Sequence, residues 1–190
     1  MNHDQIYYVM APNYNAKGFK VVPTESTALR RFHYKEQVDG ESALQFESKS
    51  GKVNPLDTQL LFCTPSILIS DSFEDLLSGH IYGGKLYPAI VDDLNDSFFL
   101  VNFYDELDCW DREKSTYEQH DPEDSPHVIK YVFDENVLNS VEESERLIFR
   151  MGGDDLSPII VHKSIKKIIE SEVSCASFYS IADYELGDEY

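Results

Sequence analysis

The chain has 190 residues, 42% of them hydrophobic and 13% aromatic, so it can bury a core of its own and lacks the composition of a disordered segment. Thirty-five acidic residues against 16 basic ones give a formal net charge of -19, which argues against sequence-independent binding of nucleic acid or of an anionic membrane surface. Three cysteines cannot complete a disulfide framework, no apolar run approaches a membrane span, and Met1 to Gln5 lacks the basic start and apolar stretch of a signal peptide, so a cytoplasmic protein is expected.

In chain order, Gln5 to Ala11 (QIYYVMA) and Phe19 to Val22 (FKVV) are rich in β-branched and aromatic residues and flank turn material, which predicts two short strands. Leu29 to Glu36 (LRRFHYKE) and Leu44 to Glu47 (LQFE) are expected as strands around a turn at Asp39-Gly40, and Ser48 to Pro55 as a loop. That loop also divides the charge: residues 1–52 hold seven bases and six acids, and residues 53–190 hold nine bases and 29 acids. The chain is read as one α+β domain over 1–190, with near-neutral N-terminal strands over 1–55 and an acidic main part over 56–190.

Within the acidic part, an offset of 92 residues lays Ile67 to Leu77 over Ile159 to Ile169. Each copy opens with an apolar run suited to a short buried strand. It continues with Phe73, Leu76, Leu77 or with Ile165, Ile168, Ile169, at the i, i+3, i+4 spacing of one helix face. Ser70, Ser72 and Ser164 stand where an N-cap would accept the free amides of the helix start. Further on, Leu86-Tyr87 and Phe178-Tyr179 resume in register. The apolar triplets Leu60-Leu61-Phe62 and Leu147-Ile148-Phe149 precede the copies, the second connection being five residues longer. These features read as two related strand-helix-strand units, with a chance likeness of apolar pattern as the alternative.

Between the copies, Ile90-Val91 and Phe98 to Tyr104 bracket a hairpin turn. The stretch Asp92 to Asp124 carries 12 acids and two bases, and Glu113 to Ser125 is expected to be an exposed acidic loop before a strand at Val128 to Phe133. Asp134 to Glu145 reads as a short acidic helix or turn with Val137, Leu138 and Val141 facing inward. The expected class is α+β, mostly antiparallel sheet with two or three short helices.

The chemistry-bearing patterns are sparse. Gly83-Gly84 and Gly152-Gly153 lack the spacing of a phosphate loop or dinucleotide fingerprint, and no Gly-x-Ser-x-Gly elbow occurs. Cys109 has His120 and His127 downstream, but Asp105, Glu106, Asp108 and Asp111 surround it with charge that disfavours a thiolate. The same residues have the wrong spacing for zinc, and Cys63 and Cys175 sit in apolar strands as small core residues. Asp92-Asp93-x-x-Asp96 and Asp105-x-x-Asp108-x-x-Asp111 lack the alternation, the glycine and the closing Glu of an EF-hand calcium loop. No catalytic residue, cofactor or metal is expected.

A basic partner fits this chain better. The candidate contact residues are Asp92, Asp93, Asp96, Asp105, Asp108, Trp110, Asp111, Glu113 and Glu118, with four further acids in the tail Asp183 to Tyr190. Trp110 is either folded back on Phe98 to Tyr104 as a local anchor or displayed to the partner.

The segments Ser66 to Phe73 (SILISDSF), Leu86 to Ala89 (LYPA) and Phe99 to Phe103 (FLVNF), then Asp108-Cys109-Trp110-Asp111 with Ser115, resemble a bacterial family of toxin-immunity proteins. Leu147 to Arg150 (LIFR), Pro158 to His162 (PIIVH) and Ala176 to Tyr179 (ASFY) continue the likeness. Over roughly residues 56 to 180 the pattern is similar to the immunity protein 43 and immunity protein 11 families. It departs at His162, which stands where the first copy has Ser70, and in having no glycine before Phe178. The resemblance implies a small cytosolic α+β protein that neutralises a co-encoded toxin by binding it, with no chemistry of its own. The alternatives are an acidic nucleic-acid mimic that inhibits a DNA-binding protein, which would carry phosphate-like carboxylate spacing along an elongated face, and a small hydrolase or metal-dependent enzyme with polar groups converging in a pocket.

Overall fold

Short apolar runs separated by turn residues fold as strands of three to eight residues in a computed structural model, which describes residues 3–15, 20–30, 35–50, 58–92 and 94–188. The strands are β1 (Tyr7–Pro12), β2 (Lys20–Pro23), β3 (Leu44–Ser50), β4 (Leu60–Cys63), β5 (Ser66–Ser70), β6 (Gly84–Val91), β7 (Phe98–Phe103), β8 (Thr116–Glu118), β9 (His127–Lys130), β10 (Ile148–Arg150), β11 (Ile159–His162) and β12 (Ala176–Ser180). Among the described residues the α-helices are α1 (Glu25–Ala28), α2 (Glu74–Leu77), α3 (Glu135–Leu138) and α4 (Lys163–Glu172), of which the first three are single turns. One sheet has the order β2-β3-β6-β7-β5-β4 and curls until β2 runs beside β4; the other has the order β10-β11-β1-β12; β8 and β9 form a separate hairpin. The pairings are antiparallel except β3 with β6, which gives an α+β protein dominated by antiparallel sheet.

The 92-residue offset holds in three dimensions, strand against strand. Ile67, Val101 and Leu86 stand side by side across β5, β7 and β6. Ile159, Met10 and Phe178 stand side by side across β11, β1 and β12. In each unit a strand leads into a helix, and Phe73 and Ile165 are both buried. The central strand, however, comes from opposite directions: β7 follows its unit in the chain, whereas β1 is supplied from the N-terminus. The positions at the helix starts also correspond: Ser70 stands at the N-cap of a 3-10 turn (Asp71–Phe73), its hydroxyl bonded to that of Ser72 instead of to a free amide, and His162 caps α4. His162 Nδ1 accepts from Ser164 N–H at 3.3 Å, so the histidine takes the cap position expected for Ser164. Helix α2 stops after one turn at Gly79, which has the positive φ (79°) of a left-handed terminator. Helix α4 continues to Glu172.

Register also corrects one expected alignment. Phe62 pairs with Ile67 and Arg150 with Ile159, so Leu60-Leu61-Phe62 corresponds to Ile148-Phe149-Arg150, and the second connection is four residues longer instead of five. Hydropathy hides this because Arg150 occupies a strand position. It fits there by turning its guanidinium onto the carbonyl of Ser157 at 2.8 Å.

Strand alternation sorts the apolar side chains into three cores. Ile67, Ile69 and Val101 of one sheet face Met10, Ile159 and Val161 of the other, with Phe73, Leu77, Ile165 and Ile169 of the helices in the same layer. Leu44, Phe46, Leu68, Leu100 and their neighbours fill the inside of the curled sheet. Tyr7, Val9, Phe149 and Ile160, on the outer face of the second sheet, are covered by the segment from Leu107 to Leu138. The near-neutral N-terminus is therefore divided between both sheets.

Three local expectations change. Leu29–Arg30 and Lys35–Glu36 lie in turns instead of a strand, because the chain has just left the single-turn helix α1, while residues 31–34 lie outside the described residues. Strand β3 runs on to Ser50, into the stretch expected as a loop, and the remainder of that stretch, residues 51–55, is outside the described residues. Glu113 to Ser125 is largely exposed, as expected of an acidic loop, yet it contains β8, which pairs with β9.

Candidate functional site

After β7 the chain does not loop out. Leu107 N–H donates to the Arg150 carbonyl (2.9 Å), Gly152 N–H to Leu107 (3.0 Å), Asp111 N–H to Val132 (2.8 Å) and Asp134 N–H to Cys109 (2.8 Å). These bonds thread Leu107 to Asp111 between the end of β10 and the residues after β9. Trp110 is consequently only 1% exposed, and its indole N–H donates to the Gly152 carbonyl at 3.1 Å. Tyr117 meets its ring edge-on at 5.2 Å, and the Arg112 guanidinium lies 3.8 Å from the ring centroid. Trp110 is thus a core residue and cannot be a displayed anchor. Its core cluster contains no residue of Phe98 to Tyr104 either; it joins Phe133 and Leu138 of the covering segment to Tyr7, Phe149 and Ile160 on the outer face of the second sheet. An indole in an acidic stretch is buried here because a backbone acceptor and a stacked cation satisfy its polar edge and its face.

The predicted acidic residues are not brought together. Asp92 and Asp96 are exposed at the turn between β6 and β7, and Asp93 lies outside the described residues. Asp105 follows the far end of β7, so roughly 20 Å of strand separates it from Asp96. Asp108 is engaged by both guanidinium nitrogens of Arg112, the Nη2–Oδ2 distance being 2.8 Å. Gly153 underlies this pair: it has φ +68°, and a Cβ there would collide with both side chains. Asp111 accepts from the N–H groups of Glu113 (2.9 Å) and Lys114 (3.2 Å), and its hydrogen bonds, led by that from the Lys114 ammonium, hold its carboxyl below the usual range. Glu113 and Glu118 are exposed, the latter on β8. Asp108 and Asp111 therefore shape the turn around Trp110, the Asp108 carboxylate remaining half exposed.

The Cys109 thiol is buried against Met151 Sδ at 3.8 Å, and burial, reinforced by Asp108, pushes its pKa up, which keeps it protonated. His127 bonds to Asp155 (3.0 Å) instead of to Cys109, and His120 is exposed in the hairpin turn. Among the described residues no three His, Cys, Asp or Glu side chains converge as a metal site requires. No helix among them is long and apolar enough to cross a membrane.

Several buried polar residues carry no local signal in the sequence. Arg146, 2% exposed, donates to the Tyr7 hydroxyl and to the Val141 carbonyl (2.9 Å), and His3 bonds Glu135 across 132 residues of chain. Asp154, 3% exposed, accepts from the Tyr131 hydroxyl and from Leu156 N–H (3.1 Å), while its burial raises its carboxyl pKa. These residues fasten the segment from Leu107 to Leu138 and the loop before β11 onto the second sheet. Their partners are set by the sheet order, and only the Gly152-Gly153-Asp154-Asp155 run marks that loop in the sequence.

In comparison with known proteins, the model of the family described as "Immunity protein family (Imm11)" matches residues 4–183. It spans the N-terminal strands as well as both related units, as expected when β1 is the central strand of the second sheet. No curated protein matches the chain.

Proposed function

The chain belongs to the immunity protein family (Imm11), and from that premise we propose that it neutralises a cognate bacterial toxin by direct, tight binding in the cytoplasm, with no chemistry of its own. The match over residues 4–183 carries this reading, because it includes every sheet of the fold. The charge of -19 supports a basic partner, such as a toxin whose own cleft holds phosphate backbones. Exposed carboxylates at Asp92, Asp96, Asp105, Glu113 and Glu118 surround the molecule with a field that speeds encounter with a cationic surface. Polar groups buried inside the fold, such as Arg146 and Asp154, are spent on neighbouring segments, which fits a rigid binding module.

The experiment is co-expression. Toxin domains taken from the reading frames flanking this gene are produced in a susceptible bacterium with and without the chain, and each one that kills is purified and titrated with the chain calorimetrically. Growth should be restored and a nanomolar complex found, its association rate falling about tenfold as salt is raised through the physiological range. Continued killing by the toxin in the presence of well-folded chain would refute the reading.

A further inference from the structure

With Trp110 buried, a tight interface needs its apolar anchor elsewhere. Among the exposed large apolar residues, Tyr14 (54% exposed) and Leu156 (46% exposed) line one and the same cleft, of about 540 Å³. The cleft opens where β1 leaves the second sheet, beside the β4–β5 turn of the first sheet and the loop before β11. Phe62, Pro65, Pro158 and Tyr184 complete its apolar walls. Of the polar groups that reach it, Arg150 donates to the Ser157 and Leu156 carbonyls, Tyr131 donates to Asp154, and His127 is bonded to Asp155. What the cleft chiefly offers an incoming group is apolar contact.

Its rim is acidic. His127 belongs to the β8–β9 hairpin, in which Glu118 to His127 contains four carboxylates and no lysine or arginine. Asp155 N–H donates to the Pro126 carbonyl at 3.1 Å and ties that turn to the cleft edge. Along another edge, Leu186 and Gly187 line the cleft between Glu185 and Asp188. Among the described residues, Arg150 is engaged as above and Lys130 pairs with Glu185 at 3.7 Å.

We propose that this cleft is the toxin-anchoring site, taking an apolar side chain that lysines or arginines flank in the toxin. The apolar group enters between Tyr14 and Leu156, and the flanking cations meet the carboxylates of the β8–β9 turn and of Glu185 and Asp188. This rests on the toxin-binding reading above and adds a location and a recognition chemistry to it.

The test uses the full chain, with the toxin domain encoded beside it as probe, in binding kinetics of wild type, Leu156→Arg, Tyr14→Ala and Ile90→Arg. Ile90, 50% exposed on β6, is the control for placing a cation at an exposed apolar position. The Leu156 main chain makes its bonds to Asp154 and Arg150 whatever its side chain, so Leu156→Arg should keep the fold, which circular dichroism checks. Leu156→Arg should raise the dissociation rate at least about tenfold and Tyr14→Ala several-fold, with Ile90→Arg within about twofold of wild type. Should Leu156→Arg unfold, Tyr14→Ala decides by the same criterion. Wild-type binding that both cleft variants match would overturn the cleft and leave toxin binding standing. Absence of wild-type binding would overturn toxin binding, and the cleft with it.

Discussion

Replacing Trp110 separates a structural tryptophan from an interface one. Its side chain is 1% exposed, donates to Gly152 at 3.1 Å and carries the Arg112 guanidinium on its face. Trp110→Ala removes the largest fully buried side chain and leaves a cavity, a change that costs about 3–5 kcal/mol in well-packed cores. At about 2–4 °C per kcal/mol for a chain of this size, the melting midpoint should fall by roughly 6–20 °C. Trp110→Phe keeps most of the volume and loses mainly the indole N–H bond, so about 1–2 kcal/mol is expected. The assay is thermal denaturation followed by far-ultraviolet circular dichroism. Because the chain has a single tryptophan, wild-type fluorescence supplies an independent readout: blue-shifted emission with weak acrylamide quenching. A Trp110→Ala midpoint within about 2 °C of wild type, or emission typical of a solvated indole, would refute the burial argument. If Trp110→Phe weakened toxin binding while the fold stayed intact, the indole would have to be an interface residue after all.

The remaining predictions concern the shared core, the histidines and the charge. Phe73→Ala and Ile165→Ala should cost about 3–5 and 2–5 kcal/mol in urea denaturation, and the double variant should depart from additivity because both side chains fill one layer; costs under about 1 kcal/mol would contradict that layer. In an NMR titration His127, bonded to Asp155, should titrate above 6.5, and Asp155→Asn should bring it back; His162, depressed by its burial, should titrate below 6.5. The linkage signs are opposite: the His162 contribution to stability is complete above about pH 6.5 and is lost as the pH falls through its folded value, whereas the His127 contribution is complete below about pH 6.5 and is lost as the pH rises through its folded value. Neutralising Glu118, Asp121, Glu123 and Asp124 together should slow toxin association and flatten its salt dependence. Neutralising Asp92 and Asp96, at the opposite end of β5 from the cleft, should change the rate much less, and equal effects would mean that charge acts without regard to place.

How much of this was legible in the sequence depended on whether a signal was local. The apolar triplets, the helix-face spacing after them and the 92-residue offset are local or self-comparing, and they led to β4, β5, β10, β11, α4 and the related units. What β1 does was not legible: a strand that inserts between β11 and β12 from about 150 residues away leaves no trace beyond its own alternation. Trp110 was ambiguous for a related reason. Its acceptor, the Gly152 carbonyl, lies 42 residues on, so a buried indole and a displayed one look the same in sequence. Charge density marked Asp92 to Asp124 as a unit, but β7 crosses the first sheet within it and carries its two ends apart. The Tyr14–Leu156 cleft joins residues 142 apart in number, and the antiparallel pairing of β1 with β11 brings them together.

Titration of toxin activity tests the central claim most directly. With the toxin domain held at a concentration well above the dissociation constant, increasing amounts of the chain are added and residual toxin activity on its substrate is measured after each addition. Neutralisation by binding predicts a linear fall that reaches zero at a fixed stoichiometric ratio and does not deepen with incubation time. A far smaller amount of chain that abolished activity progressively with time would show that it acts by chemistry on the toxin, contradicting the account.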